Sequence, residues 1–451
     1  TKILLTRLLY KNFENNNLFL KWKTRFKQRK LKIKMFYYLK KLFRDAKDFK
    51  FFLQEEFAIK NQRFFLSVLS LLSVLSFFLC VFALTRQIPF LQLSKLISIS
   101  LIFVFVFSVP FLIKKFMESD KTIKYLFILN IVCLTILLLY SIVSKHNSIS
   151  LAIRFYSVLV LLLSAFFLPP KKIYVNIFIL LAVLQSILLI GFEIYILLFG
   201  DPEFAGYIRS TVMNLGLGDI YTFNNYFYRI QIKGNPILPV AFLISLFAIQ
   251  SKRLKISAAS LLLVGTIVAG NFAFILAIIF FFGMYLVILF FSNKKVSAFL
   301  RNIFKNRTKT ILVSGIILLF LCICVIVIYP YVYHLIKMKM ELSIPTRFDQ
   351  VFHLINDLLE NPISLLFGQG LGNLINVISD YRDYRNYYYF ELQTFYILNQ
   401  VGILYFLLFL ITNVIFVIKF WKNKFIYLIY LSYIVYAFTN PYLFDTTNIL
   451  V

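Results

Sequence analysis

The sequence predicts an all-α polytopic membrane protein, and three observations carry that reading. Of 451 residues, 61% are hydrophobic and 19% aromatic, against about 45–50% apolar residues in soluble domains. The mean hydropathy is +0.82. Apolar runs long enough to cross a bilayer as helices, about 18 residues or more, recur along the chain. A membrane β-barrel is excluded, because its strands alternate polar and apolar residues and these runs are apolar throughout.

Eleven spans are expected, at about 64–84, 93–113, 124–143, 150–168, 173–199, 235–250, 255–270, 272–292, 310–335, 392–419 and 424–444. With the N-terminus in the cytoplasm, the inner loops carry Lys114, Lys115 and Lys121, then Lys171 and Lys172, then Lys252 and Arg253. The last two carry six Lys or Arg between 293 and 309, and Lys422. Every inner loop is thus basic, as the positive-inside rule requires. The two long loops, 200–234 and 336–391, fall outside and are mixed in charge. The apolar ending Asn448–Val451 is expected to lead into a twelfth span in a full-length chain.

The formal net charge is +29. Because these charges sit in short loops, they are read as orientation signals, and nucleic acid is not an expected partner. Residues 1–63 form a basic cytoplasmic segment ahead of a transmembrane domain at 64–451. Within it, residues 1–34 carry eleven Lys or Arg against Glu14 alone. They are either non-native extension sequence or a basic arm on anionic lipid. Cys80, Cys133, Cys322 and Cys324 all lie in apolar runs without metal spacing or a disulfide pattern, and read as packing residues. No cofactor or metal is expected.

Gly270-Asn271 separates two apolar runs, as a tight outer turn or as the break in a discontinuous helix lining a cavity. In the second long loop, Phe348, Val351, Phe352, Ile355, Leu358 and Leu359 recur at helical spacing. The spacing predicts an amphipathic interfacial helix over 346–359, with Thr346-Arg347-Phe348-Asp349 resembling a capping box and Asn361-Pro362 ending it. Gly368, Gly370 and Gly372 then predict a turn that folds the loop back on the spans. As a nucleotide motif this G-x-G-x-G is weak, having no strand before it.

Ionisable residues inside spans are costly and usually functional. Arg154 and Glu193 lie roughly 6–9 Å below the outer ends of their spans, at ~1.5 Å per residue. They read either as the polar wall of an outward-facing cavity or as an ion pair between neighbouring helices. Arg209, Arg229 and Lys233 in the first long loop and Arg347, Arg382 and Arg385 in the second suit phosphate oxygens. Glu391 opens the next span, either as a helix-start acid or as a base toward a hydroxyl. Asp349, His353 and Asp357, four apart, read as surface pairing before metal binding. Tyr381, Tyr384, Tyr387, Tyr388 and Tyr389 form an interface belt or a platform for sugar rings.

Three segments together resemble the O-antigen polymerase and ligase superfamily, the Wzy polymerases and their WaaL-type relatives. They are Tyr228-Arg229-Ile230-Gln231-Ile232-Lys233-Gly234-Asn235-Pro236, then Arg347 with Asn361-Pro362 and Leu366-Phe367-Gly368-Gln369-Gly370-Leu371-Gly372, and Glu391 through Gln400-Val401-Gly402-Ile403. Ligases of that superfamily carry His-Asn where this chain has Glu391-Leu392, so the resemblance favours the polymerase branch. It implies a bacterial inner-membrane glycosyltransferase that joins repeat units of O-antigen or capsule carried on undecaprenyl diphosphate, at the outer face. Arg229, Arg347 and Glu391 would be catalytic, with Arg209, Lys233, Arg382, Arg385, Arg154 and Glu193 binding substrate. The expected partners are the lipid-linked oligosaccharide, membrane lipids and a chain-length regulator protein. A ligase, or a flippase for the same lipid-linked glycan, are the alternatives; a flippase places its charges near the bilayer midplane.

The orientation has a direct check. In a cysteine-free background, an impermeant maleimide added to intact cells should label Glu203→Cys and leave Lys252→Cys unlabelled; the reverse pattern inverts the topology.

Overall fold

A computed structural model of the chain describes residues 63–87, 93–169, 171–199, 202–215, 218–223, 227–292, 344–379, 383–385, 388, 390–420, 423–438 and 440–451. The expected span 310–335, residues 1–34, Cys322, Cys324 and Arg382 lie outside them.

Helices dominate. In chain order they are α1 (Arg63–Leu84), α2 (Ser94–Glu118), α3 (Lys121–Val143), α4 (Ile149–Ala165), α5 (Lys172–Phe199) and α6 (Pro202–Asn214). The hairpin β1 (Gly218–Phe223) and β2 (Phe227–Ile232) follows, then α7 (Ile237–Ala248), α8 (Lys252–Val268) and α9 (Phe272–Ser292). Beyond residue 343 come α10 (Ile344–Leu359), α11 (Pro362–Phe367), α12 (Gln393–Phe420), α13 (Lys424–Phe438) and α14 (Thr446–Leu450). Among the described residues, α1, α2, α3, α5 and α12 are long and apolar enough to cross a membrane, and α4, α7, α9 and α13 are shorter apolar helices. The protein is a multi-pass, predominantly helical membrane protein.

Lipid leaves no hydrophobic drive between helices, so small and polar contacts hold them together. The Ser73 hydroxyl meets Ser108 at 2.8 Å and the Tyr174 hydroxyl at 2.7 Å, tying α1 to α2 and α5. Asn130 donates to Thr412 Oγ1 at 2.8 Å and joins α3 to α12. Gly265 lets α8 press on α5, since a Cβ there would lie 2.5 Å from Ser186 Oγ. On α3 the opposite face, Ile128, Leu129, Val132, Ile136 and Leu139, is left exposed, as suits a lipid-facing surface.

Three features differ from the sequence expectation. The stretch expected as the first long loop, 200–234, contains a helix and a hairpin, whose short strands the apolar background conceals. The last expected span, 424–444, stops at Phe438, because Asn440-Pro441 ends it. Helix α10 begins at Ile344, so Thr346 lies inside its first turn and not at its cap position.

The Gly368–Gly372 turn does fold the long loop back. Gln369 N donates to Asn399 O at 2.8 Å and Gly370 N to Gln400 O at 3.0 Å. All three glycines have φ between 78° and 89°, and Gly402 within α12 has φ 70°. Gly368 and Gly402 lie back to back: a Cβ on Gly402 would stand 2.4 Å from both Gly368 N and Leu366 O.

Gly402→Ala should therefore lower the melting temperature of the detergent-purified protein, the left-handed backbone alone costing about 1–3 kcal/mol before the clash. Gly283→Ala, where nothing lies within 4 Å, should leave it unchanged. Equal behaviour of the two variants would refute the glycine clasp.

Candidate active site

Clasping the loop against α12 sets α10 beside the start of that helix. Arg347, in the first turn of α10, then meets Glu391, two residues before α12. Its Nε donates to Glu391 Oε2 at 2.8 Å, and the two side chains are 31% and 34% exposed. The pair is open enough for a ligand to reach. Arg347 uses only Nε in this contact, leaving both terminal nitrogens of its fork, and Glu391 keeps Oε1 without a hydrogen bond among the described residues. Gln350, one turn along α10 and fully buried, fixes the carboxylate's backbone by accepting from Glu391 N at 3.2 Å.

Asp349 holds the other side of α10. It accepts from Ser379 at 2.6 Å and from the Tyr384 hydroxyl at 2.9 Å, and His353 Nε2 lies 3.3 Å from its other oxygen. The expected Asp349–His353 pairing is present. Asp357 instead accepts from Asn373 and Asn399. Among the described residues, no cluster of His, Cys, Asp and Glu could hold a metal. Tyr384 is fully buried, so it belongs to the loop core and not to an interface belt; Tyr381, Tyr387 and Tyr389 lie outside the described residues.

Arg229 projects from β2 onto the turn between α8 and α9. Gly270, φ 62°, is the surface it rests on: a Cβ there would be 2.4 Å from Arg229 Cγ. Gly270-Asn271 is thus a turn between two helices, and its bare face seats an arginine. With its oxygen turned toward the guanidinium, the Gln231 amide accepts from Arg229.

Tyr442 joins these pieces. It lies in the turn 440–445, which follows α13 and falls largely within the expected span 424–444. Burial pushes its hydroxyl up to about 12, with Arg229, Asp445, Glu391 and Arg347 all within electrostatic reach. The turn is held by Gln393, whose amide donates to Phe444 O and accepts from Phe444 N, and by Asn271 donating to Asn440. Arg229, Arg347 and Glu391, three of the expected site residues, thus all act electrostatically on one tyrosine. The signal in the sequence was Asn440-Pro441, a helix-ending dipeptide inside an apolar run.

The other expected residues separate. Glu193 accepts from Tyr228 N at 2.8 Å and anchors the hairpin to α5. Arg154 stacks over the Tyr388 ring at 5.3 Å, so the two intramembrane charges do not form an ion pair with each other. Arg209 spends its fork on Asp219, at 2.9 and 3.3 Å. Arg385 binds Asp383 at 2.6 Å and holds that exposed carboxyl down to about 2.

The Gly234-Asn235-Pro236 segment has a structural explanation. Asn235 donates to Ile230 O and accepts from Gln185. Pro236 O accepts from the Tyr436 hydroxyl. Gly234 sits directly on the end of α1, where a Cβ would be 2.6 Å from Leu84 O.

No protein-family model matches the chain, and no curated protein or solved structure matches it either. The class that fold and site define is a multi-pass helical membrane protein with a half-open arginine–carboxylate pair between α10 and the start of α12.

The Arg347–Glu391 pair is too exposed to hold the fold. Arg347→Ala and Glu391→Ala should each shift the unfolding midpoint by no more than about 1 kcal/mol, with a coupling energy in a double-mutant cycle of similar or smaller size. A loss of several kcal/mol in either would make the pair a structural brace.

Proposed function

We propose that this protein is a polysaccharide polymerase of the O-antigen polymerase type, a membrane glycosyltransferase of lipopolysaccharide or capsule biosynthesis in the bacterial inner membrane. Its donor is an oligosaccharide on undecaprenyl diphosphate, and its acceptor is a sugar hydroxyl of a second lipid-linked repeat unit at the outer face. The observation that carries the reading is the meeting of Arg347 and Glu391, 44 residues apart, at 2.8 Å, with Arg229 in reach around Tyr442.

The chemistry needs little else. The anomeric carbon leaves the diphosphate oxygen, which keeps the bonding electrons, and forms a bond to the acceptor oxygen; the acceptor's proton passes to a base. The leaving group is already activated, so positioning and charge stabilisation dominate. The free end of the Arg347 fork, with Arg229, would bind diphosphate oxygens as their charge grows. Glu391 Oε1 would orient the acceptor hydroxyl and take its proton. A bidentate fork is what lysine lacks, so even the conservative change should matter.

The test is deletion of the gene in its host, complemented by wild type or by a single-site variant, with surface glycan read as a gel ladder. Wild type should restore the ladder. Arg347→Lys and Glu391→Gln should each cut polymer by about 10²-fold or more, leaving a single repeat unit on its acceptor. Long polymer accumulating on the lipid carrier would instead identify a ligase, and full ladders in both variants would sink the proposed site.

A further inference from the structure

Arg154 stands in the second turn of α4, exposed, with its guanidinium carbon 5.3 Å from the centre of the Tyr388 ring. Attraction to a ring face is electrostatic and leaves the N–H groups unspent. Among the described residues, none of them makes a hydrogen bond or an ion pair. Asp445 feels the charge of Arg154 only from beyond such contact. Tyr388 is 47% exposed, whereas Tyr384 and Phe390 on either side of it are buried.

The place of this pair is fixed by a run of rings. Tyr384 stacks on Phe390 at 5.8 Å, Phe390 meets Tyr396 of α12 at 4.6 Å, and Tyr396 meets Phe155 of α4 at 5.5 Å. All four are buried. Phe155 is the neighbour of Arg154, and Phe390 is the neighbour of Glu391. The same buried rings therefore set both the arginine and the carboxylate. Tyr388 precedes Glu391 by three residues, a reach of at most about 11 Å along an extended chain. One oligosaccharide can touch both.

Resting on the polymerase reading, we propose that Arg154 and Tyr388 form a sugar subsite beside the Arg347–Glu391 pair, and that the sugar it takes is a hexuronic acid. The open face of the Tyr388 ring packs against the C–H groups of a pyranose. The Arg154 fork matches a planar carboxylate bidentately, a match that neutral hydroxyls do not supply. No acid of the described residues occupies that fork, so the glycan brings the carboxylate. Diphosphate is left to Arg347 and Arg229. Sugar and leaving group are then recognised by different arginines.

The experiment is saturation-transfer NMR on the full-length, detergent-purified protein. The probes are D-glucuronate and D-galacturonate, with D-glucose as neutral control and inorganic pyrophosphate as competitor. Wild type should bind a hexuronate and discriminate against glucose. Arg154→Gln should weaken hexuronate binding by about tenfold or more. Tyr388→Ala should weaken it as well, and Tyr388→Phe, which keeps the ring, should not. Arg347→Gln, outside the subsite, should leave it unchanged. Arg154 and Tyr388 are both exposed, so their variants should unfold at the wild-type temperature, which a melting curve checks before binding is read.

Wild type that binds no hexuronate, or binds glucose equally well, would overturn the subsite and leave the proposed function to its own ladder test. So would hexuronate binding untouched by Arg154→Gln. Pyrophosphate that displaces hexuronate and itself loses affinity in Arg154→Gln would make this a phosphate site and also overturn the proposal.

Discussion

The arrangement of the segment 344–391 over the helices depends on the close backbone contact between Gly368 and Gly402. Two glycines with positive φ lie in close backbone contact, and the amides of Gln369 and Gly370 donate to the carbonyls of Asn399 and Gln400 in the first third of α12. A loop of this length would otherwise have many ways to lie over the spans, each of them entropically favoured over any single one. Pinning its centre selects one arrangement. The pinned position then decides everything upstream and downstream: α10 lies along α12, and the two ends of the loop, Arg347 and Glu391, come together.

Lys145 and Asn147, between α3 and α4, reinforce the clasp. The lysine donates to Gln369 Oε1 at 2.7 Å, and Asn147 donates to the carbonyls of Gln369 and Leu371. Gln369 in turn donates to Asp357 O at the end of α10. The network ties three otherwise separate segments, and its polar groups are largely satisfied by one another, as buried polar groups must be. The arginine and carboxylate it positions are left half-open and incompletely paired. Rigid support is thus concentrated one layer behind groups that retain bonding capacity, which is how a reactive pair is kept ready for a substrate.

Much of this was legible in the sequence, for identifiable reasons. Spans announce themselves by length and apolarity, and α1, α5 and α9 fall within a residue or two of expectation. The amphipathic period of 348–359 and the glycine spacing at 368–372 gave α10 and the fold-back turn, because both are local patterns with local causes. What was hidden is long-range. Nothing in the neighbourhood of Arg209 said that Asp219 would occupy it, whereas Arg229 and Arg347 gained their standing from resemblance to a family. Asp445 and Tyr442 were masked by the apolar residues around them: a hydropathy window averages over Asn440-Pro441 and continues the helix. Arg86, which follows α1 with φ 52°, was invisible, since only backbone geometry reveals that an arginine occupies a glycine's conformation.

The distribution of charge around Tyr442 bears on why an aromatic phenol stands there. A carboxylate in its place would neutralise Arg229 and Arg347, the two cations that act on it. An apolar ring would offer Arg229 and Arg347 a surface of lower dielectric, where like charges repel most strongly. A half-buried phenol, pushed up to about 12 and therefore neutral at ordinary pH, cancels neither charge and still offers a hydroxyl dipole. The acid belongs to the same design: Glu391 answers Arg347 directly, Nε to Oε2 at 2.8 Å, through one oxygen of its carboxylate.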